Sequence, residues 1–438
     1  MSPLRRTVAA DGALPARATR PTTASAALKG LRFRLATDPT PISVDGYRER
    51  ARRALPDMIW SYVDHGSETE DTMRGNREAF SRYRVEARML GGQPPKTLET
   101  EVAGRRVSLP VLLAPTGLTG LSHWTGELGA AHGAERAGTL SILSTSSTWS
   151  IEEVAAGTQE DHLFQLYPFS GGDGLRSGSA ELMERAQRVG YSALFVTVDV
   201  PVIGNREWER LRGMGAPPTI TPARAFDAAR HVRWTYRYLR HQRVSARNLL
   251  DQGGSAAAVE SVNRLAGLMN PELNWDDIAW MRDRWPGPFY VKGILHPEDA
   301  RRAMALGADG VVVSNHGGRQ LDQARATLDA LPAVAAAVGQ QGEVLLDGGV
   351  RRGSDVVKAL CLGATAVCIG RPFIYGLAVD GADGVRAVLE IFREEIQRTL
   401  TLMGVESLEH LGPEWLAPAS GPGTLADLPA TAVDVLPG

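Results

Sequence analysis

The sequence predicts an α/β chain folded as a (β/α)8 TIM barrel, with an N-terminal helical region and a long insertion after the fourth strand. Three observations carry that expectation. Eight short apolar runs rich in β-branched residues recur: Val111–Ala114, Ser141–Thr145, Leu163–Tyr167, Leu194–Asp199, Phe289–Lys292, Gly310–Asn315, Val344–Asp347 and Ala366–Gly370. Apart from the interval between the fourth and the fifth, successive starts lie one strand–helix unit apart. The runs are also apolar throughout rather than alternating, which marks parallel strands covered on both faces. Eight such units favour a closed barrel over an open doubly wound sheet.

The segments between the runs behave as helices. Residues 297–307 open on a proline, carry acids in the first turn and end in glycine. Residues 353–363 offer Ser354 as an N-cap and set Val356, Val357, Leu360 and Cys361 on one face. A barrel needs ~250 residues, and the chain has 438. The remainder divides into a flexible arm over 1–40, a domain over 41–415 that contains the barrel, and an extended, proline-containing tail over 416–438. Within the domain, residues 205–275 exceed what one helix and its loops require. They leave from the C-terminal end of strand four, where barrel active sites are built, so a lid or docking element is expected there.

Composition narrows the class. Lys+Arg 48 against Asp+Glu 50 leaves a net charge of -2, which argues against nucleic acid as a partner. Cys361 and Cys368 are too few for a disulfide framework or a Cys-based metal centre, so a reducing, cytoplasmic setting is expected. No uncharged apolar run reaches the roughly 18 residues of a membrane span, and no apolar stretch follows Arg5-Arg6 to make a secretory signal.

Residues suited to chemistry crowd the C-terminal ends of the strands. The loops after strands seven and eight read LDGGVRRG (346–353) and IGRP (369–372), the place where barrels build phosphate sites. Gly348, Gly349 and Gly370 allow close backbone approach, and Arg351 and Arg371 can neutralise the anion; tight turns alone would explain the glycines otherwise. Strand six ends in SNHGGR (314–319). His316 is a candidate general base there, and Arg319 can bind a carboxylate beside it. Asp199, at the end of strand four, can orient that imidazole or simply cap a turn. Lys292, inside an apolar run, needs an anionic partner, which an electron-rich cofactor ring would supply.

Taken together, VKGI (291–294), SNHGGRQLD (314–322), LLDGGVRRGSD (345–355) and the following IGRP resemble the FMN-dependent L-2-hydroxy-acid oxidases and dehydrogenases, the family of glycolate oxidase, lactate dehydrogenase and mandelate dehydrogenase. The resemblance runs from about Val44 to about Trp415. It implies an FMN enzyme that oxidises a small 2-hydroxy acid to the 2-oxo acid, commonly as a homotetramer. By the same resemblance His316 is the base and Asp199 its partner. Arg206, Arg319 and Tyr62 grip the substrate carboxylate, Tyr167 lies near the hydroxyl, and Lys292 stabilises negative charge at the flavin N1–O2 edge. Pro115, Thr116, Gly117, Ser144, Gln165, Thr197 and Ser314 match flavin-ring contacts. Asp347, Gly349, Arg351, Gly370 and Arg371 match ribityl and phosphate contacts. His316 can take a proton from the hydroxyl or from Cα, so hydride and carbanion routes both stand.

Three positions depart from the plant-type oxidases. Gly117 stands for alanine, Ser146 for tryptophan, and Asn205-Arg206 for two arginines. Small side chains beside the flavin predict room for a larger substrate, aryl ones among them. In the insertion, residues 221–250 hold seven arginines and one acid, Asp227. The spacing of Arg230, Arg233, Arg237 and Arg240 predicts one basic helix face beside Trp234, Tyr238 and Leu239. Such a face suits anionic lipid on the inner side of a membrane, or else solvent or a neighbouring subunit. No haem-attachment motif is present, which leaves oxygen, a quinone or a protein as electron acceptor. Two other functions remain compatible with the sequence: a tailoring oxidase acting on a specialised hydroxy acid or amine, and a non-catalytic flavin-binding module that docks on membranes.

Overall fold

The computed structural model describes residues 40–91, 94–159, 162–168, 175–214, 218–249 and 269–419; the arm over 1–39 and the tail beyond 419 lie outside them. All eight expected strands form: β1 Val111–Leu113, β2 Ile142–Ser144, β3 Leu163–Leu166, β4 Ala193–Thr197, β5 Phe289–Ile294, β6 Gly310–Val313, β7 Glu343–Asp347 and β8 Ala366–Ile369. They pair in parallel in chain order, with β8 beside β1, and a single bridge from Leu113 to Ser141 closes the barrel between β1 and β2.

Although each strand is buried on both faces, its residues alternate between two surroundings. Leu112, Ile142, Leu163, Phe195, Tyr290, Val312, Leu345 and Ala366 fill the interior. Their neighbours Leu113, Leu143, Phe164, Leu194, Val291, Val311, Leu346 and Val367 pack outward against the helices. Phe195 and Tyr290 stack with ring centroids 4.5 Å apart. Beneath them the hairpin Thr100–Val102/Arg105–Val107 contributes Val102, Ala103 and Val107 to the same cluster. Two residues further along each strand, the inward parity supplies Ser144, Gln165, Thr197, Lys292, Ser314 and Asp347. The polar candidates therefore share one layer because the strand period is two.

Helices 297–305 and 353–361 form where the sequence expects them. The second is not capped by Ser354. Instead, the Asp355 carboxylate accepts from the amides of Arg351 and Arg352, each at 2.9 Å. Nor does the chain trail off after Trp415. Leu416–Pro418 pairs antiparallel with Tyr83–Val85, so the start of the expected tail is a docked strand.

Three N-terminal helices, Val44–Ala54, Asp57–Asp64 and Asp71–Ser81, precede the barrel. The insertion supplies Glu207–Leu211, Pro222–Arg230 and Val232–His241 before the barrel helix Trp275–Arg284. A break at His231 (φ -88, ψ 61) puts Arg230 on a different helix from Arg233, Arg237 and Arg240, so the four do not share one continuous face. Trp234 and Tyr238 stack at 5.0 Å and pack against the core, with Trp234 Nε1 donating to the Leu121 carbonyl at 2.7 Å. Asp227, the one acid of the segment, accepts from the Asp57 amide at 2.8 Å and fastens the insertion to the first turn of helix 57–64.

Candidate active site

The turn after β6 holds His316 in the left-handed region (φ 60), followed by Gly317 and Gly318, also at positive φ. A non-glycine residue in that conformation is uncommon and marks a side chain aimed by its surroundings. Nδ1 of His316 lies 2.9 Å from Asp199 Oδ1, and Nε2 lies 3.1 Å from the Tyr167 hydroxyl. Burial pushes Asp199 up, but His316 and Lys292 outweigh it and hold the carboxyl below its ordinary range. An ionised carboxylate only accepts, so the network assigns the proton to Nδ1 and the basic lone pair to Nε2. Burial also lowers the His316 pKa, against the opposing pull of Asp199, and raises the Tyr167 phenol to about 12. The resulting neutral imidazole faces the cavity as a base.

Lys292, on β5, is 4% exposed. Its Nζ lies 3.0 Å from Asp347 Oδ2 and donates to Ser314 Oγ at 2.8 Å. Burial disfavours the ammonium, yet Asp347 and Asp199 more than offset that and raise its pKa. The anionic partner that the sequence sought in a cofactor is thus Asp347, two strands away on β7. Across the barrel, the Ser144 hydroxyl and Gln165 Oε1 are 3.0 Å apart, and Gln165 Nε2 donates to Thr197 Oγ1 at 3.0 Å.

The two arginines sit on the insertion side. Arg319 donates through Nη1 to the carbonyls of Tyr62 and His65 at 2.8 and 3.0 Å, and through Nη2 to Glu209 Oε1 at 2.7 Å. Its guanidinium lies 5.0 Å from the Tyr62 ring centroid. Arg206 Nε is 3.9 Å from the same Glu209 oxygen, while burial and the charge of Arg319 lower the Arg206 pKa. Helix 57–64 brings in Tyr62, whose hydroxyl donates to the Gly117 carbonyl at 2.9 Å.

On the opposite side, Arg371 donates to the carbonyls of Gly317 and His65, both at 2.9 Å. Among the described residues its buried Nε has no partner, nor does that of Arg351. Burial brings the Arg371 pKa down to about 10. A Cβ on Gly370 would have only Thr116 Oγ1 near it, at 4.0 Å, so this backbone is open to close approach. Gly348 and Gly349 are glycines for a different reason. Both have positive φ, and a Cβ on Gly349 would lie 2.1 Å from the Asn76 carbonyl oxygen of helix 71–81. Two unpaired buried guanidinium N–H groups beside an open glycine suit a phosphate. An unpaired Asp347 Oδ1 adds an acceptor for hydroxyls. The residues present fit FMN.

One cavity of about 1510 Å³ joins these groups: Tyr62, Pro115, Thr116, Gly117, Tyr167, Arg206, Lys292, His316, Arg319, Asp347, Gly348, Gly349, Arg351, Gly370 and Arg371 all line it. Asp199, Ser144, Gln165, Thr197 and Ser314 stand behind that lining. Leu211, Met214, Ile220, Trp234, Tyr238 and Leu239 of the insertion line its outer part, with Ile203 just before it. Gly117 does not open extra space by itself, since a Cβ there would come within 2.9 Å of Ser146 Cβ.

Sequence reasoning missed three residues that shape the site. Glu209 accepts from Arg319 Nη2. Asn76 carries the glycine loop and exchanges 2.8 Å side-chain hydrogen bonds with Asn315. Gly293, at φ 109, leaves room for Asp199, which a Cβ would approach to 2.7 Å. Only Gly293 left a signal, as a glycine following a strand lysine.

The model of the FMN-dependent dehydrogenase family matches residues 51–418. The chain belongs to this family. It is 37% identical over 374 residues to the (S)-mandelate dehydrogenase of Pseudomonas putida, covering 85% of this chain and 93% of that protein. It is 40% identical over 381 residues to an L-lactate oxidase of Nostoc sp., covering 86% and 98%. A crystal structure of (S)-mandelate dehydrogenase, described as a monotopic membrane protein, superposes with a TM-score of 0.82 at 37% identity over 87% of this chain and 100% of that one.

Proposed function

We propose that the protein oxidises an L-2-hydroxy acid of lactate or mandelate type to the 2-oxo acid. The observation that carries this reading is the Asp199–His316–Tyr167 chain, which faces a half-buried arginine pair across one cavity. Arg206 and Arg319 hold the substrate carboxylate, with Tyr62 beside them. That fixes the hydroxyl-bearing carbon toward His316. Nε2 of His316 takes a proton from the hydroxyl or from Cα, and Asp199 stabilises the imidazolium that forms. Tyr167 marks the position of the substrate hydroxyl.

FMN, when bound, would supply the two-electron acceptor for this oxidation, and an external acceptor would take the electrons on. Arg351, Arg371 and Gly370 would hold its phosphate, Asp347 its ribityl hydroxyls, and Lys292 the negative edge of its ring. The apolar outer cavity suits a side chain larger than methyl.

The insertion supports docking on an anionic membrane. Phe226, Val232, Tyr236 and Leu239 are 60–70% exposed there, next to exposed Arg230, Arg233 and Arg240. No helix among the described residues is long and apolar enough to cross a membrane, so the contact is peripheral. Leu211, Ile220 and Leu239 belong both to the cavity lining and to the exposed apolar surface. A lipid-borne quinone is therefore the acceptor this geometry favours.

An anaerobic titration with L-lactate, L-mandelate and their D-forms tests the reading. Bleaching of the yellow flavin by an L-acid and not by its D-form is expected. Re-oxidation by a short-chain quinone faster than by air would support the quinone. Bleaching by none of the acids would overturn the substrate class.

A further inference from the structure

Glu209 has no place in the chemistry above, yet it is bound to that chemistry's substrate grip. It sits on helix Glu207–Leu211, the first element of the insertion, and is 8% exposed. Its Oε1 accepts from Arg319 Nη2 at 2.7 Å and lies 3.9 Å from Arg206 Nε. The backbone of the short helix is pinned on both sides. The Met214 amide donates to the Glu209 carbonyl at 2.8 Å, and the Trp208 ring stacks on His65 at 4.7 Å. The His65 carbonyl in turn accepts from both Arg319 and Arg371. Glu209 is thus delivered to the arginines by a braced element rather than by a wandering side chain.

From this geometry we infer that Glu209 is an internal counter-carboxylate, which competes with substrate and product for the Arg319 guanidinium. This rests on the reading of Arg206 and Arg319 as the carboxylate grip. Two guanidinium groups half-buried together repel each other, and one carboxylate between them reduces the local charge from two positive to one. The pair therefore stays assembled before a ligand arrives. Arg319 has two of its donors committed to main-chain carbonyls and a third to Glu209, whereas the Nη groups of Arg206 donate to nothing among the described residues. A ligand carboxylate meets the Arg206 fork and, on Arg319, the Nε–H and the second Nη2–H, which donate to nothing among the described residues, so it shares the Arg319 guanidinium with Glu209 and competes with it for that charge. Substrate and 2-oxo product carry the same charge, so the competition weakens both and speeds release of the second. Glu209 is a positioning residue; it touches no reacting atom.

The test uses the FMN-loaded enzyme and two probes that cannot be oxidised, phenylacetate and its neutral amide, read through the visible flavin spectrum. Glu209→Gln removes the competing charge and keeps the shape. It should tighten phenylacetate about tenfold, as expected when a charge-assisted bond no longer competes, and leave phenylacetamide unchanged. Glu209→Asp, which draws the carboxylate back by one methylene, should fall between wild type and Glu209→Gln. In an Arg319→Met background, Glu209→Gln should lose most of its effect, because the contested bond is already gone. Weaker or unchanged phenylacetate binding in Glu209→Gln would mean that Glu209 only props Arg319, and would overturn the inference. Equal tightening of the amide would overturn it too, since charge would not be the cause. A wild-type spectrum that phenylacetate does not perturb, even at saturating concentrations of the mandelate that bleaches it, would place the failure in the arginine grip itself.

Discussion

The floor and the roof of the cavity are built by different means. On the floor, Ser144, Gln165, Thr197, Lys292, Ser314 and Asp347 stand on adjacent parallel strands, and each is bonded to a neighbour across the sheet. Their positions follow from strand parity, so a shift of one would require a shift of register in all. The roof consists of helices of 5, 9 and 10 residues, tied down by isolated contacts such as Asp227 to the Asp57 amide. Large apolar side chains remain exposed there. The difference teaches that the polar layer is fixed by the barrel, while the outer cavity and the exposed apolar surface belong to the insertion.

Floor substitutions should therefore abolish turnover and roof substitutions should alter partners. Asp199→Asn, which removes the charge that stabilises a protonated His316, should lower the rate of anaerobic flavin reduction by roughly 10²–10⁴. A loss under tenfold in stopped flow would break the contrast. Gly349→Ala forces a Cβ against the Asn76 carbonyl at positive φ, and should cost about 2–4 kcal/mol in thermal or denaturant unfolding, with loss of FMN. Unfolding unchanged from wild type would show that helix 71–81 can yield.

The pH dependence sharpens the account of the floor. Because burial holds the His316 pKa below the ordinary 6.5, the base form persists through neutrality. kcat/KM should stay level down to pH 6.5 and fall about tenfold per unit only below that pKa. An acid limb centred above 6.5 would contradict this. On the roof, replacing Phe226, Val232 and Tyr236 with serine should reduce co-sedimentation with phosphatidylglycerol vesicles several-fold while flavin reduction persists; unchanged sedimentation would remove the membrane from the picture. Asp227→Ala should have the smallest effect, about 1 kcal/mol confined to the insertion, seen as faster hydrogen exchange over helices 222–241 and not over the strands.

The same contrast explains what the sequence disclosed. The strands are legible because apolar β-branched runs recur at one repeat length, Lys292 because it is the charge that ends one of them, and His316 and Arg371 because they follow such runs directly. Strand parity then carries Asp347 to Lys292, a pairing that no local pattern announces. Glu209 was invisible because a five-residue helix in an insertion has no periodicity to read, and its meaning depends on where Arg319 ends up. Trp234 and Tyr238 were read as neighbours of a basic face. Four residues apart, they share the side of helix 232–241 that meets the core, and which side meets the core is not set by local composition. Leu416–Pro418 looked like tail because a proline-rich edge strand shows itself only by its partner, Tyr83–Val85.

The central claim is that His316 is the base of a flavin-dependent oxidation on the barrel floor. Its most direct test is His316→Ala, purified yellow, mixed anaerobically with the L-2-hydroxy acid that bleaches the wild type. The account predicts retained FMN and reduction slowed by at least about 10³. Bleaching at the wild-type rate would contradict it.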